Sequence, residues 1–148
     1  ARAEIEACAA QLGVSDRLSF TGAVARERVP ALSMAFDIAL QTALVPYASP
    51  LCLFEYLALG KAIVAPDQPN HHEILSAGVD ALLYAPQDPV GIERALDALC
   101  EDTELRHRIA SAAALVIERK QLTWNAHART VVSRLELLKP LEPQLHSA

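Results

Sequence analysis

Ser49-Pro50-Leu51-Cys52-Leu53-Phe54-Glu55-Tyr56-Leu57-Ala58-Leu59-Gly60-Lys61-Ala62-Ile63-Val64-Ala65 is the stretch whose reading settles the fold. Ser49-Pro50 is a helix start with a mechanism. The serine accepts from the orphan amides of a first turn, and a proline at the first helical position has no amide to leave orphaned. An apolar helix over 51–59 follows, and Gly60 stops it. Ala62-Ile63-Val64-Ala65 is then a continuous apolar run, the pattern of a strand buried on both faces, and Pro66 closes it. Upstream, Asp37-Ile38-Ala39-Leu40-Gln41-Thr42 reads as a strand and 43–48 as a loop. Strand, loop, helix and strand at this spacing form a βαβ unit, which implies a parallel sheet.

Working outward, Leu18-Ser19-Phe20, ended by Thr21-Gly22, and Ala81-Leu82-Leu83-Tyr84 supply two further strand candidates. Ile5, Cys8, Ala9 and Leu12 recur at helical spacing, with Gly13 as a stop. Pro30 suits the first turn of a short helix through Phe36 that buries Val29, Leu32 and Met34. A short helix is expected around 71–76. Beyond Tyr84 the pattern is helical: Ile92, Leu96 and Leu99 line one helix, and Leu105, Ile109, Ala113 and Val116 the next. Thr123 caps a last one carrying Ala128, Val131, Leu135 and Leu138. The expected class is α/β, a Rossmann-like doubly wound parallel sheet with helices on both faces, truncated at the N-terminus. The truncation is expected because the chain opens inside a helical pattern without Met and carries fewer strands than such domains usually have. Pro140 and Pro143 end order, leaving 1–139 as one domain and 140–148 as a tail.

Composition narrows the function. The chain has 148 residues, 52% hydrophobic and 21% charged, which suits one packed domain and not a disordered chain. A net charge of -5 argues against a nucleic-acid partner. The widely spaced Cys8, Cys52 and Cys100 form no Cys-x-x-Cys pair, and an odd count is no disulfide framework; reduced thiols and a cytoplasmic setting fit best. Arg2, Glu4 and Glu6 leave no apolar stretch for a signal peptide. The charge-poor segment 38–60 is interrupted by Gln41, Pro46, Ser49, Pro50 and Glu55, so it does not read as a membrane span, and nothing else indicates membrane association.

Between Asp37 and Lys61 the only charged side chain is Glu55. Its helix is apolar nearly all round, the pattern of a buried helix. A carboxylate there must find donors, because a buried unpaired charge costs several kcal/mol. One reading is structural, an ion pair with a distant Arg or Lys, or a carboxylate pointing out through a gap. The other is functional: Glu55 faces a cleft, and its two oxygens accept from two hydroxyls of a ribose or sugar. The helix start at Ser49, Pro50, Leu51 and Cys52 favours the second. It follows a strand end, where open α/β sheets bind ligands, and its amides and dipole attract phosphate. Leu51 to Glu55 spans one helical turn, roughly 6 Å, the reach from a diphosphate to its ribose.

Other candidates carry less. His71-His72-Glu73 lacks the i, i+4 spacing that aims two imidazoles at one metal, and a solvated helix start is the expectation. Gly60-Lys61 lacks the glycine spacing of a phosphate loop, and there is no Gly-x-Gly-x-x-Gly fingerprint of a nicotinamide enzyme. Residues 106–108 read as a wet helix face, and Trp124 as a packing anchor.

Phe20-Thr21-Gly22, Asp37-Ile38, the block from Ser49 to Ala65, Glu73-Ile74-Leu75 and Thr123-Trp124 occur in the order seen in group 1 retaining glycosyltransferases. The chain resembles the C-terminal, nucleotide-sugar-binding domain of such a GT-B enzyme over nearly its whole length. The resemblance implies that Glu55 is the second glutamate of the family's Glu-x7-Glu motif, which binds the donor ribose. It implies that the backbone around Pro50, Leu51 and Cys52 approaches the diphosphate, and that the loop Gly22, Ala23 and Val24 lies near the base. Tyr47 stands where the first glutamate would be, so Tyr47 and Ala48 occupy the place of the donor-sugar contacts, and Cys52 stands where a similar subgroup has lysine. The implied parent transfers a hexosyl group from a UDP-, GDP- or ADP-sugar with retention, needs no metal or other cofactor, and carries a separate acceptor domain, upstream. The helix after Trp124 is implied to brace that domain. Without it this chain is not expected to turn over substrate. Two other readings stay open: a non-catalytic nucleotide-binding or interaction module, favoured by Tyr47 and Cys52, and an unrelated doubly wound domain with Glu55 in a core ion pair.

Overall fold

The structure, a computed structural model, describes residues 2–42, 44, 47 and 50–138. The expected tail 140–148 and the candidate site residues Ala48 and Ser49 lie outside the described residues. Three parallel strands make the sheet among the described residues: β1 (Ile38–Leu40), β2 (Ala62–Pro66) and β3 (Leu82–Tyr84), in that order. Ala39 of β1 sits opposite Ile63 of β2, and Val64 of β2 opposite Leu82 of β3. All five residues of β2 are buried, as its unbroken apolar run predicts. Alternation then divides the core. Ile63 and Ala65 join Leu53 and Leu57 of α3 (Leu51–Ala58) on one face. On the other face Ala62 and Val64 meet Ala95 and Leu99 of α5 (Pro89–Glu101) and Ile109 of α6 (Thr103–Ala114). The α/β class with helices on both faces therefore stands.

Helix ends follow local chemistry. Helix α1 (Arg2–Gln11) and α3 both close through a left-handed glycine. At Gly13 (φ 68°) the amide of Val14 reaches back to the Ala9 carbonyl at 2.9 Å; at Gly60 (φ 59°) the amide of Lys61 reaches the Tyr56 carbonyl at 3.0 Å. Asp88 caps α5 by accepting from the Val90 amide, and Asp102 caps α6 by accepting from the Leu105 amide at 2.8 Å. Thr123 caps α8 (Trp124–Leu137) as the sequence predicts, accepting from the Ala126 amide at 3.2 Å. Helix α7 (Val116–Arg119) ends the same way as α1 and α3, but with Gln121 (φ 56°) in the left-handed position.

Several expectations are corrected. Leu18-Ser19-Phe20 is not a strand: it pairs with nothing among the described residues, and the Arg2 guanidinium instead lies 4.8 Å over the Phe20 ring. A strand needs a neighbouring ladder, and among the described residues β1 pairs with β2 alone. The short helix α2 (Val29–Met34) forms, but Met34 points to solvent and Ser33 is buried in its place. Helix α4 (Pro69–His72) starts earlier than expected. His71 is not solvated: it is completely buried, with Nδ1 2.6 Å from the Pro66 carbonyl oxygen. Trp124 is no packing anchor within this chain, being 91% exposed, and Val131, Leu135 and Leu138 of the last helix are exposed with it.

One buried charge went unread in the sequence. Asp80 is fully buried, accepts from the Ser76 amide at 2.6 Å, and pairs with Arg119 Nη2 at 2.8 Å. It ties α7 to the turn that leads into β3. Removing a buried, doubly bonded carboxylate strands its donors. Asp80→Ala is expected to cost about 3 kcal/mol, read from denaturant unfolding. Gln121→Gly, at a conformation that disfavours side chains, is expected to raise stability by about 1 kcal/mol in the same assay.

Candidate active site at the start of helix α3

The carboxyl ends of the strands define one edge of the sheet, and the helix starts gather there. The chain leaves β1 at Leu40, and Gln41, the next residue, is buried. Its amide still donates to the Val64 carbonyl at 2.9 Å, while its side-chain oxygen lies 3.7 Å from Cys52 Sγ as an acceptor for the thiol. That contact pins the first turn of α3 against the end of β1. Pro50 occupies the capping position (φ -71°, ψ 114°) rather than the first helical one, and among the described residues no side chain caps the helix. The Leu53 amide bonds the Pro50 carbonyl at 3.0 Å. The amides of Leu51 and Cys52 precede it, in the part of a helix that has no intrahelical acceptor.

Helix α3 is two-faced, and this corrects the expectation of an apolar helix buried all round. Leu53 and Leu57 are completely buried, whereas Leu51, Glu55 and Ala58 are exposed on the opposite stripe. Positions 51, 55 and 58 are spaced by four and three residues, the spacing of one helical face. Glu55 makes no ion pair among the described residues. It does act on its neighbours. Burial, and then the Glu55 charge, push the Cys52 thiol above its ordinary value, and burial followed by Cys52 and Glu55 does the same for the Tyr56 hydroxyl. The Tyr56 ring is held edge-to-face against Phe36 at 6.4 Å, which ties α3 to the end of α2.

Of the residues picked from the sequence, Pro50, Leu51, Cys52 and Glu55 come together on this one turn. Tyr47 lies exposed in the loop before it. Ala23 and Val24 line a separate concavity of about 750 Å³ with Thr21, Arg28, Leu32 and Ala35. Gly22 takes up the left-handed backbone (φ 65°) that turns the chain there. Gln41 and Tyr56 were missed as site residues, and the only signal for Gln41 is its place one residue past a strand end. His72 Nε2 lies 2.5 Å from Asp67 Oδ1, an exposed pair, and no group of three His, Cys, Asp or Glu among the described residues could hold a metal.

Residues 1–116 match the family of glycosyl transferases group 1. The chain belongs to that family. Among solved structures, a sucrose-phosphate synthase from Thermosynechococcus elongatus superposes with a TM-score of 0.77 at 18% identity, over 93% of this chain and 34% of that one, a likeness of fold. HepE of Anabaena, in complex with UDP-glucose, gives 0.72 at 25% identity over 88% of this chain and 36% of that one. The C-terminal domain of LpcC, a group 1 glycosyltransferase from Francisella tularensis, gives 0.73 at 25% identity, over 81% and 62%. No curated protein matches the sequence. The chain thus spans about a third of the length of the first two of these neighbours, and its sheet is that of GT-B, Rossmann-like C-terminal domains. Among the described residues no helix is long and apolar enough to cross a membrane.

The charge on Glu55 can be tested through its neighbour. Cys8 and Cys100 are exposed and Cys52 is half-buried, so iodoacetamide at pH 8 is expected to label Cys52 last. Glu55→Gln removes a charge that raises the thiol, so Cys52 is expected to react faster in that variant, followed by peptide mass spectrometry.

Proposed function

We propose that residues 1–139 are the donor-binding domain of a retaining glycosyltransferase, and that the first turn of α3 holds a nucleotide diphosphate sugar. The observation that carries this reading is Glu55: an exposed carboxylate without an ion pair among the described residues, one turn along the helix from the amides of Leu51 and Cys52. Family membership and the UDP-glucose bound to the HepE neighbour support it.

In this reading the diphosphate sits at the helix start, where two amides and the positive end of the dipole meet its charge. As the bond from the anomeric carbon to the diphosphate breaks, charge grows on the leaving oxygens. A preoriented helix end stabilises that charge more in the transition state than in the ground state. The reading assigns no metal to this task. Glu55 accepts from the two ribose hydroxyls and fixes the nucleotide in place; it orients the donor and is neither acid nor base. The loop of Gly22, Ala23 and Val24, with its concavity, takes the base. Transfer itself then requires an acceptor domain beyond this chain.

The test is calorimetric titration with UDP, GDP and ADP and their sugars. At least one is expected to bind, and Glu55→Gln is expected to weaken it about 10- to 100-fold, the range of one or two hydrogen bonds to a charged group. The melting temperature of the variant should stay within a degree or two, because Glu55 packs against nothing in the core. If Glu55→Gln unfolds the domain and leaves nucleotide affinity intact, the carboxylate is structural and the reading fails. Binding without transfer by the full-length parent would instead favour a non-catalytic module.

A further inference from the structure

We infer that the base taken by this site is guanine, read along its O6 and N7 edge by the guanidinium of Arg28. The inference rests on the donor-binding reading above and names the nucleotide, which that reading leaves open.

The concavity of about 750 Å³ beside the Gly22 loop is built by one short piece of chain, within residues 21–35, all of them described. Its size is that of a small-molecule site. Four alanines, Val24 and Leu32 give it a wall of carbon, which suits the flat faces of a base. Two polar side chains interrupt that wall, Thr21 and Arg28, and Arg28 carries the one charge among the residues lining it. Its neighbours in the chain, Arg26 and Glu27, do not line the concavity. Arg28 is exposed, and among the described residues its guanidinium has no ion pair and no hydrogen bond. Thr21 Oγ1 lies 3.5 Å from the Gly22 carbonyl oxygen, the far limit of a hydrogen bond. A hydroxyl both donates and accepts, so Thr21 does not choose between bases.

The concavity lies where the course of the ligand leads. With the diphosphate at Leu51 and Cys52 and the ribose at Glu55, the nucleotide runs along α3 away from its start. Tyr56 follows Glu55, and its ring packs on Phe36, the residue after Ala35 of the concavity wall. Lys61, past the end of α3, donates through Nζ to the Met34 carbonyl at 2.7 Å. Two contacts that flank Ala35 therefore fix the end of α2 to α3, and the wall is held beside the ribose carboxylate.

Chemistry then selects the base. A guanidinium donates and does not accept, and its fork grips two acceptors side by side. Guanine offers such a pair, O6 and N7, on one open edge. Adenine sets its N7 beside a donor, the N6 amino group. Uracil separates its two carbonyls by an N–H. Cytosine has O2 next to N3, but O2 adjoins the glycosidic bond and is turned towards the ribose. No carboxylate lines the concavity to receive an amino group, and the guanine edge that meets Arg28 presents none.

The experiment titrates GDP, UDP, ADP and CDP calorimetrically into the chain and into Arg28→Ala and Arg28→Lys. GDP is expected to bind about 10- to 100-fold tighter than the other three, the discrimination of one bidentate pair. Both substitutions are expected to bring that ratio to about one, because lysine keeps the charge and lacks the fork. A second comparison needs no variant. In the unaltered chain 7-deaza-GDP, with carbon in place of N7, is expected to bind about tenfold more weakly than GDP. IDP, which keeps O6 and N7 and lacks the 2-amino group, is expected to bind as tightly as GDP. The inference is overturned by UDP, ADP or CDP binding as tightly as GDP, by a GDP preference that survives Arg28→Ala, or by equal binding of GDP and 7-deaza-GDP. A loss shared equally by all four nucleotides in Arg28→Ala overturns it too, since Arg28 then serves the phosphates. Those results leave nucleotide binding standing. Failure of every nucleotide to bind instead overturns the donor-binding reading, and this one with it.

Discussion

Strand β2 has no solvent side, and that constraint organises the molecule. Five consecutive residues, Ala62 to Pro66, are buried, so each face of the strand must be covered by something apolar. Alternation sends Ile63 and Ala65 to one layer, and Ala62 and Val64 to the other. Burial at about 25 cal/mol per Å² rewards both layers only if a helix lies on each. Ala stands at two of the five positions, which lets the helices approach closely there. A parallel neighbour on either edge, β1 and β3, completes the ladder. Every crossover then delivers a helix start to the carboxyl edge of the sheet.

The same constraint gives α3 its two faces. Its inward stripe must be Leu53 and Leu57 because β2 leaves room for nothing polar there. Its outward stripe is released from that demand and can carry a carboxylate. Glu55 therefore combines a rigid backbone, anchored by completely buried neighbours, with an open side chain. This is what a group that orients a ligand requires: position set by packing, and hydrogen-bonding capacity left unspent. The Gln41–Cys52 contact and the Phe36–Tyr56 ring pair brace the turn from two other elements, so the helix start is located by three parts of the chain at once.

Much of this was legible from residues alone, and the lapses have physical causes. The central strand, the helix beside it and its glycine stop were readable because continuous apolar runs and left-handed glycines mean nearly the same thing in any context. The open face of α3 was not readable. An apolar helix signals burial, yet Leu51 and Ala58 are exposed, and hydrophobicity does not say on which side the core stops. Leu18-Ser19-Phe20 has strand composition, but pairing is a property of two segments and the sequence shows one. His71 and Asp80 are polar residues that tertiary partners draw into the interior, a backbone carbonyl for the one and Arg119 with an amide for the other. Nothing local marks them. Trp124 errs in the opposite direction: a large ring signals packing, and here it stands in the open. In the candidate site, the placement of Pro50 to Glu55 on one helical turn was legible because helix polarity and spacing fix it. Gln41 was not, since its role depends on Cys52 lying across from it.

Asp102 joins two helices in one residue. Its amide ends α5 on the Ala98 carbonyl, and its carboxylate opens α6. Arg106, one turn on, returns to the Leu99 carbonyl at 2.6 Å. The end of one helix and the beginning of the next thus share the same few bonds, and neither can fray without releasing the other. The pair is a single cooperative unit, whose amides should exchange with deuterium together, more slowly than those of the sparsely packed α1.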